Sequence, residues 1–237
     1  MEGLTFYLIA GAVFLFSWSI QGKLKRTYAR WSQIRNSADM PGAHVARRIL
    51  DANDMKRVGI EEVGGKLNDH YDPRTKVIRL SPTIYGVPSV AALAISAHES
   101  GHAIQDHEAY GPLKVRTAVA PLANLAGRFG IPAAILGSFV GSPGLIQIGV
   151  LAYVGALLLQ FLTLPVEFNA SKRAIGQLER LRLMSDQEKE GARKVLRAAA
   201  MTYVASVASA AGYIIHLVLA GGRWLLRKPP VPPPAAP

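Results

Sequence analysis

The residues best suited to chemistry are His98-Glu99-Ser100-Gly101-His102. Two histidines four apart fall on one face of a helix, so both imidazoles can reach a single metal. The glutamate beside the first turns toward the metal's open side, where it can take a proton from water. The pattern reads as a zinc site with its own general base. With this histidine and glutamate content it arises by chance in roughly one chain in two hundred, so its surroundings have to carry the reading. The preceding run from Val87 through Ala97 is apolar, with no proline after Pro88 and with Ser89 placed as a helix cap. That predicts a buried helix carrying the motif. A pair of ordinary core histidines is the bland alternative, and it would leave Glu99 buried beside them with no partner, a costly arrangement.

The helix has to be positioned by the rest of the chain, and composition bounds how. Of the 237 residues 50% are hydrophobic, cysteine is absent and the formal net charge is +11. No disulfide scaffold and no cysteine-ligated metal is possible. Leu4 to Ile20 is an uncharged run of seventeen residues with Trp18 near one end, followed by Lys23, Lys25, Arg26 and Arg30. It is near the lower limit for a bilayer span. A signal peptide would have a basic start and a small-residue cleavage site. Glu2 and the sequence Phe16-Ser17-Trp18-Ser19-Ile20-Gln21 supply neither, so an anchor is the expectation.

Two more hydrophobic blocks follow the motif, Thr117 to Val140, interrupted by Arg128, and Leu145 to Leu164, which is uncharged. Gly141-Ser142-Pro143-Gly144 joins them as a tight turn. A fourth block, Ala198 to Gly221, is rich in alanine and serine, which suits close helix packing in a bundle. Of the 27 lysines and arginines, fifteen lie between Lys23 and Arg116 and eight between Lys172 and Arg197. The positive-inside tendency therefore puts both segments in the cytoplasm and the amino terminus outside. If the fourth block spans, Arg223, Arg227 and Lys228 end outside, against that tendency, so a re-entrant position is the alternative. Pro229 to Pro237 is proline-rich and expected to be extended and disordered.

The same topology offers a third metal ligand. Two crossings separate His102 from Pro165-Val166-Glu167-Phe168-Asn169-Ala170-Ser171 and return the chain to the face it left. Glu167, Ala170 and Ser171 share a helix face. The carboxylate would bind zinc, the alanine would let the two helices approach, and the serine hydroxyl could steady a histidine ring. Without the motif, Glu167 would be read as a first-turn acid favoured by the helix dipole.

Anchor, His-Glu-x-x-His helix, hydrophobic hairpin and Glu-Phe-Asn-Ala-Ser together resemble the bacterial neutral zinc metallopeptidases of the YugP type, a membrane-embedded family of gluzincin character. The likeness covers nearly the whole chain. It includes Ala46-Arg47-Arg48-Ile49-Leu50-Asp51-Ala52-Asn53 within Gly42 to Met55, and Leu67-Asn68-Asp69-His70-Tyr71-Asp72-Pro73-Arg74 followed by Lys76 to Ser81. More distantly the chain is similar to the HtpX and Ste24 membrane proteases, whose Glu-x-x-Ala-Asp has an aspartate where Ser171 stands here. The resemblance implies zinc-dependent peptide hydrolysis at a membrane and names no substrate.

Val58 to Val63 and Val77 to Leu80 are strand-like and Asp72-Pro73-Arg74-Thr75 is a turn signal, so a small sheet or hairpin should precede the motif helix. Its edge could hold substrate backbone. His70 and Tyr71 could reach such a site, the bland alternative for His70 being a side chain that stabilises the turn. Tyr203, His70 and Arg173 are candidates by residue type for a second oxyanion donor. His107 reads as a solvated helix-end residue, and His44 and His216 have no metal-like spacing.

The expected fold is mainly α, a helical membrane protein with a small α+β zincin-like catalytic portion split by a transmembrane hairpin. Its parts are an anchor at 1–22, a cytoplasmic catalytic portion at 23–116, the hairpin at 117–164, a helix with the third ligand at 165–197, a hydrophobic helix at 198–221 and a tail at 222–237. One Zn2+ per chain held by His98, His102 and Glu167, with Glu99 as general base, would make a metalloendopeptidase of the cell membrane acting on peptides or proteins on the cytoplasmic side. Membrane lipid is a partner in that reading. An intramembrane-cleaving protease and a noncatalytic membrane protein with a structural zinc are the alternatives. Nucleic acid is not expected as a partner, because the positive charge is spread over juxtamembrane segments without an aromatic-basic recognition motif.

Overall fold

The computed structural model describes the backbone of residues 2–225 and the side chains of residues 8–130, 132–137 and 139–212. The expected disordered tail and the side chain of His216 lie outside the described residues. The chain forms α1 (Glu2–Ser32), α2 (Gly42–Asp51), β1 (Gly59–Glu62), β2 (His70–Asp72), β3 (Val77–Leu80), α3 (Pro82–Tyr85), α4 (Val90–His107), α5 (Gly111–Phe139), α6 (Pro143–Arg180) and α7 (Asp186–Leu225). It is mainly α with one small sheet.

Helix α4 is the axis of the core. Ser89 caps it, its hydroxyl accepting from the Ala92 N–H at 3.1 Å, as its sequence position predicts. Val90 through Ala94 and Ala97 are buried. Around them pack Val45 and Ile49 of α2, Ile78 and Leu80 of β3, Leu178 of α6, and Val195 and Leu196 of α7. Burying apolar surface all round one 18-residue helix fixes its position from several sides, which is what a site on that helix needs.

The sheet has the order β1-β3-β2. β2 and β3 form the hairpin across Pro73 to Lys76, with His70 opposite Arg79. The two apolar stretches flagged by sequence do not pair as a hairpin. β1 and β3 run parallel, Gly59 opposite Val77. β2 is an edge strand.

Helices α5 and α6 form the hydrophobic hairpin. Gly141 takes φ +65° in the turn, and α6 starts at Pro143 behind Ser142. The helices touch at glycines: a Cβ on Gly149 would lie 2.5 Å from the Gly130 carbonyl oxygen. Large apolar side chains face outward, among them Leu122, Phe129, Leu151 and Phe161. So do Leu8, Phe14 and Trp18 of α1. An apolar exterior of this extent suits lipid better than water. Among the described residues, Gly111–Gly137, Pro143–Arg180 and Asp186–Gly212 are long and apolar enough to cross a membrane.

Two expected boundaries move. α6 does not begin anew at Pro165 but runs through it, so the hairpin's second arm and the Glu167 segment are one rod. Long helices packed on neighbours tolerate the missing amide. The charged segment up to Arg197 is instead broken at 181–185. There Arg182 takes φ 54° and Ser185 opens α7, with the Ser185 N–H donating to Glu188 Oε2 at 2.5 Å. The Glu188 N–H reaches Ser185 Oγ at 3.4 Å, a reciprocal cap. Glu188 also accepts from the Ser37 hydroxyl at 2.6 Å, tying the start of α7 to the segment after α1.

Candidate metal centre

Packing brings α6 onto the motif helix at its smallest residue. A Cβ at Gly101 would stand 2.6 Å from the Ala170 carbonyl oxygen. Only glycine permits this approach, and it sets Glu167, one turn before Ala170, over the two histidines. Glu167 Oε2 is 3.2 Å from His98 Nε2 and 3.5 Å from His102 Nε2. The imidazoles meet edge to face, centroids 4.7 Å apart. The three potential donor atoms lie within 4.8 Å of one another.

The remaining ring nitrogens are also engaged. His102 Nδ1 lies 3.0 Å from Gln105 Oε1 and His98 Nδ1 lies 3.2 Å from Ser171 Oγ. The Gln105 oxygen can only accept, so it puts the His102 proton on Nδ1 and leaves a lone pair on Nε2, the atom 3.5 Å from Glu167. Gln105 is fully buried, and its amide donates to the Val166 carbonyl at 2.8 Å and to Asn169 Oδ1 at 2.9 Å. One side chain thus orients a histidine and bolts α4 to α6. Two imidazole nitrogens and a carboxylate, each ring held from behind, form a donor set that fits zinc.

Glu99 is buried and makes no hydrogen bond to another described side chain. Burial pushes its carboxyl above the ordinary carboxylate range, against the pull of His98 and His102. It faces a cleft with two chambers. One, of about 200 Å³, has an apolar lining that includes Leu24, Ile95, Val195 and Leu196. The other, of about 130 Å³, is polar and includes His70, Arg116 and Thr117. His98, Glu99, Glu167, Asp69 and Tyr203 border both.

His70, on edge strand β2, and Tyr203, on α7, therefore stand at the cleft. The His70 Nδ1 is 2.7 Å from the Asn68 carbonyl oxygen. Tyr71 points its hydroxyl to Asp106 Oδ2, 2.6 Å away. Arg173 is not brought to the cleft. Its guanidinium donates to Asn169 Oδ1 at 2.7 Å and pairs with Glu108 Oε2 at 2.7 Å. Two residues not singled out by sequence do reach it. Arg116 Nη2 is 3.9 Å from Glu167 Oε1, and Asp69 borders both chambers while accepting from the Ser81 N–H at 2.7 Å. Asp69 neighbours His70 in a segment of matching polarity, and Arg116 is a cation just before an apolar block. Gln105 carries no motif, and only its place three residues past His102 hints at it.

A family described as "Putative neutral zinc metallopeptidase" matches residues 6–221. "Putative membrane protease YugP" of Bacillus subtilis (strain 168) is 40% identical over 200 residues, which are 84% of this chain and 88% of that protein. No solved structure matches the chain.

Proposed function

Because the chain belongs to the neutral zinc metallopeptidase family that it matches over residues 6–221, we propose that it is a membrane-embedded zinc endopeptidase of gluzincin type. The convergence of His98, His102 and Glu167 beside a buried Glu99 carries the reading. Those three residues would hold one Zn2+. Three protein ligands suit a catalytic site, whereas a structural zinc takes four. When bound, the metal supplies Lewis-acid polarisation of the substrate carbonyl and acidifies water.

The chain's own residues do the rest. Glu99 takes the proton from the attacking water and delivers it to the departing amine, a role helped by a carboxyl held above its usual range. Gln105 and Ser171 hold the histidine rings, so little reorganisation is needed when substrate arrives. β2 pairs on one side only, with β3, and an extended peptide can add along its other edge beside His70. Strand addition uses backbone groups that every peptide has. The substrate class is accordingly peptides or proteins, with membrane lipid as the surrounding partner.

The membrane placement follows from charge. α1 and the three candidate spans would make a multi-pass protein, with Lys23 to Arg116 and Lys172 to Arg197 on the cytoplasmic side. The motif helix, packed among α2, β3, α6 and α7, would then lie outside the bilayer. That speaks against intramembrane cleavage.

The test is peptidase activity of the purified, detergent-solubilised chain on a broad peptide library, with zinc content measured in parallel. Wild type should cleave, Glu99→Gln should keep about one zinc and lose activity, and Glu167→Ala should lose metal. Zinc retained in all three with no peptide cut would overturn the assignment in favour of a structural site.

A further inference from the structure

We propose that the groove between α6 and α7 on the opposite side of Ser171 from His98 binds an anionic phospholipid, headgroup toward Lys172 and Arg197 and acyl chain along Phe168. The groove encloses about 660 Å³. Lys172, Arg193 and Arg197 border it, and Phe168, Ile175 and Ala200 give it an apolar floor.

The charge in the groove is unbalanced. Arg193 Nη2 is 4.0 Å from Glu179 Oε1, an acid already engaged by Lys189. Lys172 and Arg197 are exposed and make no ion pair among the described residues. Three cations thus face one shared carboxylate. An anion is the complementary ligand.

Chain position identifies which anion. Lys172 is the first cation after the uncharged Leu145 to Leu164 block in α6, and Arg197 is the last before the apolar part of α7. Both helices therefore leave their apolar stretch at the same groove. On α6, Phe161, Phe168 and Lys172 fall on one face, at spacings of seven and four residues. Both phenylalanines are about half exposed, 49% and 50%. Read outward from the candidate span, the surface runs from apolar stripe to cation. A phospholipid has that order, acyl chain then phosphate, whereas free phosphate would need no phenylalanine floor. Ser171 lines the groove and reaches His98 Nδ1 from the same turn of α6.

The inference rests on these helices lying in a bilayer and not on catalysis, so lipid binding and zinc binding can fail separately. Full-length protein in neutral detergent would be titrated with fluorescent phosphatidylglycerol and, separately, phosphatidylcholine, with zinc content measured on each sample. Saturable binding of phosphatidylglycerol is expected, weakened roughly 25-fold in Lys172→Gln/Arg197→Gln at unchanged zinc content, as two interfacial cations should contribute. The swap Lys172→Arg/Arg197→Lys, which keeps the charge, should keep the affinity, and Arg128→Gln, on the hairpin, should not alter it. Equal affinity for the two lipids, or full affinity in the double glutamine variant, would overturn the proposal. So would displacement of the lipid by inorganic phosphate at concentrations comparable to those of phosphatidylglycerol.

Discussion

Gly101 and Ala170 bring the backbones of the motif helix and the helix of Glu167 together; a Cβ on Gly101 would meet the Ala170 carbonyl at 2.6 Å. The contact fixes the Glu167 carboxylate above the histidines. Gly101→Ala should therefore push α6 away and lower zinc affinity by roughly tenfold to a hundredfold, the range seen when support around a metal is lost. The fold should persist by circular dichroism. Gly155→Ala, where nothing lies within 4 Å, is the control and should bind zinc as wild type does. Wild-type affinity in Gly101→Ala would show that α6 is not held by this contact.

Gln105 sets the His102 tautomer. Replacing it with leucine removes the acceptor at Nδ1 and the inter-helix bonds to the Val166 carbonyl and Asn169. Zinc affinity should fall by about tenfold or more, with a stability loss on the order of 1–2 kcal/mol from the lost hydrogen bonds between α4 and α6. Competition with a chromophoric chelator and denaturant unfolding measure the two effects. Gln105→Glu keeps an acceptor toward His102 and should restore much of the metal affinity but not the donor to Val166.

Asp72 gives the fold a pH dependence away from the metal. The Arg74 N–H donates to its carboxylate at 2.9 Å and the Thr75 hydroxyl at 2.8 Å, and Arg79 lies 3.2 Å away. The backbone N–H of Arg74 above all holds its carboxyl down at about 2, against an ordinary 3.8. A carboxyl depressed in the folded state stabilises it fully above the unfolded value. That contribution is lost as pH falls from about 3.8 to about 2. The β2–β3 hairpin should loosen across this window, and Asp72→Asn should remove the dependence. Carbon-detected carboxyl titration by NMR, with a midpoint near 3.8, would contradict the turn geometry.

The motif helix was readable because its signals are local. Ser89, the apolar lead and the four-residue histidine spacing all sit within one helix, and the fold obeys them. The proximity of Glu167 needed a count of crossings, which a hairpin of two apolar blocks supplies. Other features depend on distant partners. Gln105 meets Val166, 61 residues away. β2, three residues long and polar, is too short for alternation to show, so the parallel pairing of β1 with β3 cannot be read from their own sequences. Pro165 looks like a helix start because its local preference is clear, and neighbouring helices override it. The break before α7 is different, since Ser185-Asp186-Gln187-Glu188 carries the capping-box pattern in plain sequence.

The cleft separates the oxyanion candidates. Arg173 is committed to Glu108 and Asn169, so Arg173→Gln should change kcat by no more than about threefold while loosening the link behind Gln105. Arg116 faces Glu167 and offsets that carboxylate's charge. Tyr203 and His70 remain, one from α7 and one from β2. Tyr203 borders both chambers, beside Glu99 and Glu167, whereas His70 borders only the polar one. A donor must stand where the carbonyl oxygen gathers charge, beside the metal ligands, so Tyr203 is the better placed. Tyr203→Phe should lower kcat by roughly a hundredfold with KM and zinc content nearly unchanged, the mark of an interaction made only in the transition state. His70→Ala should act mainly on KM, by loosening the edge along which a peptide would add. If kcat collapses in His70→Ala and survives in Tyr203→Phe, the donor comes from the strand, and α7 serves the site only as a wall.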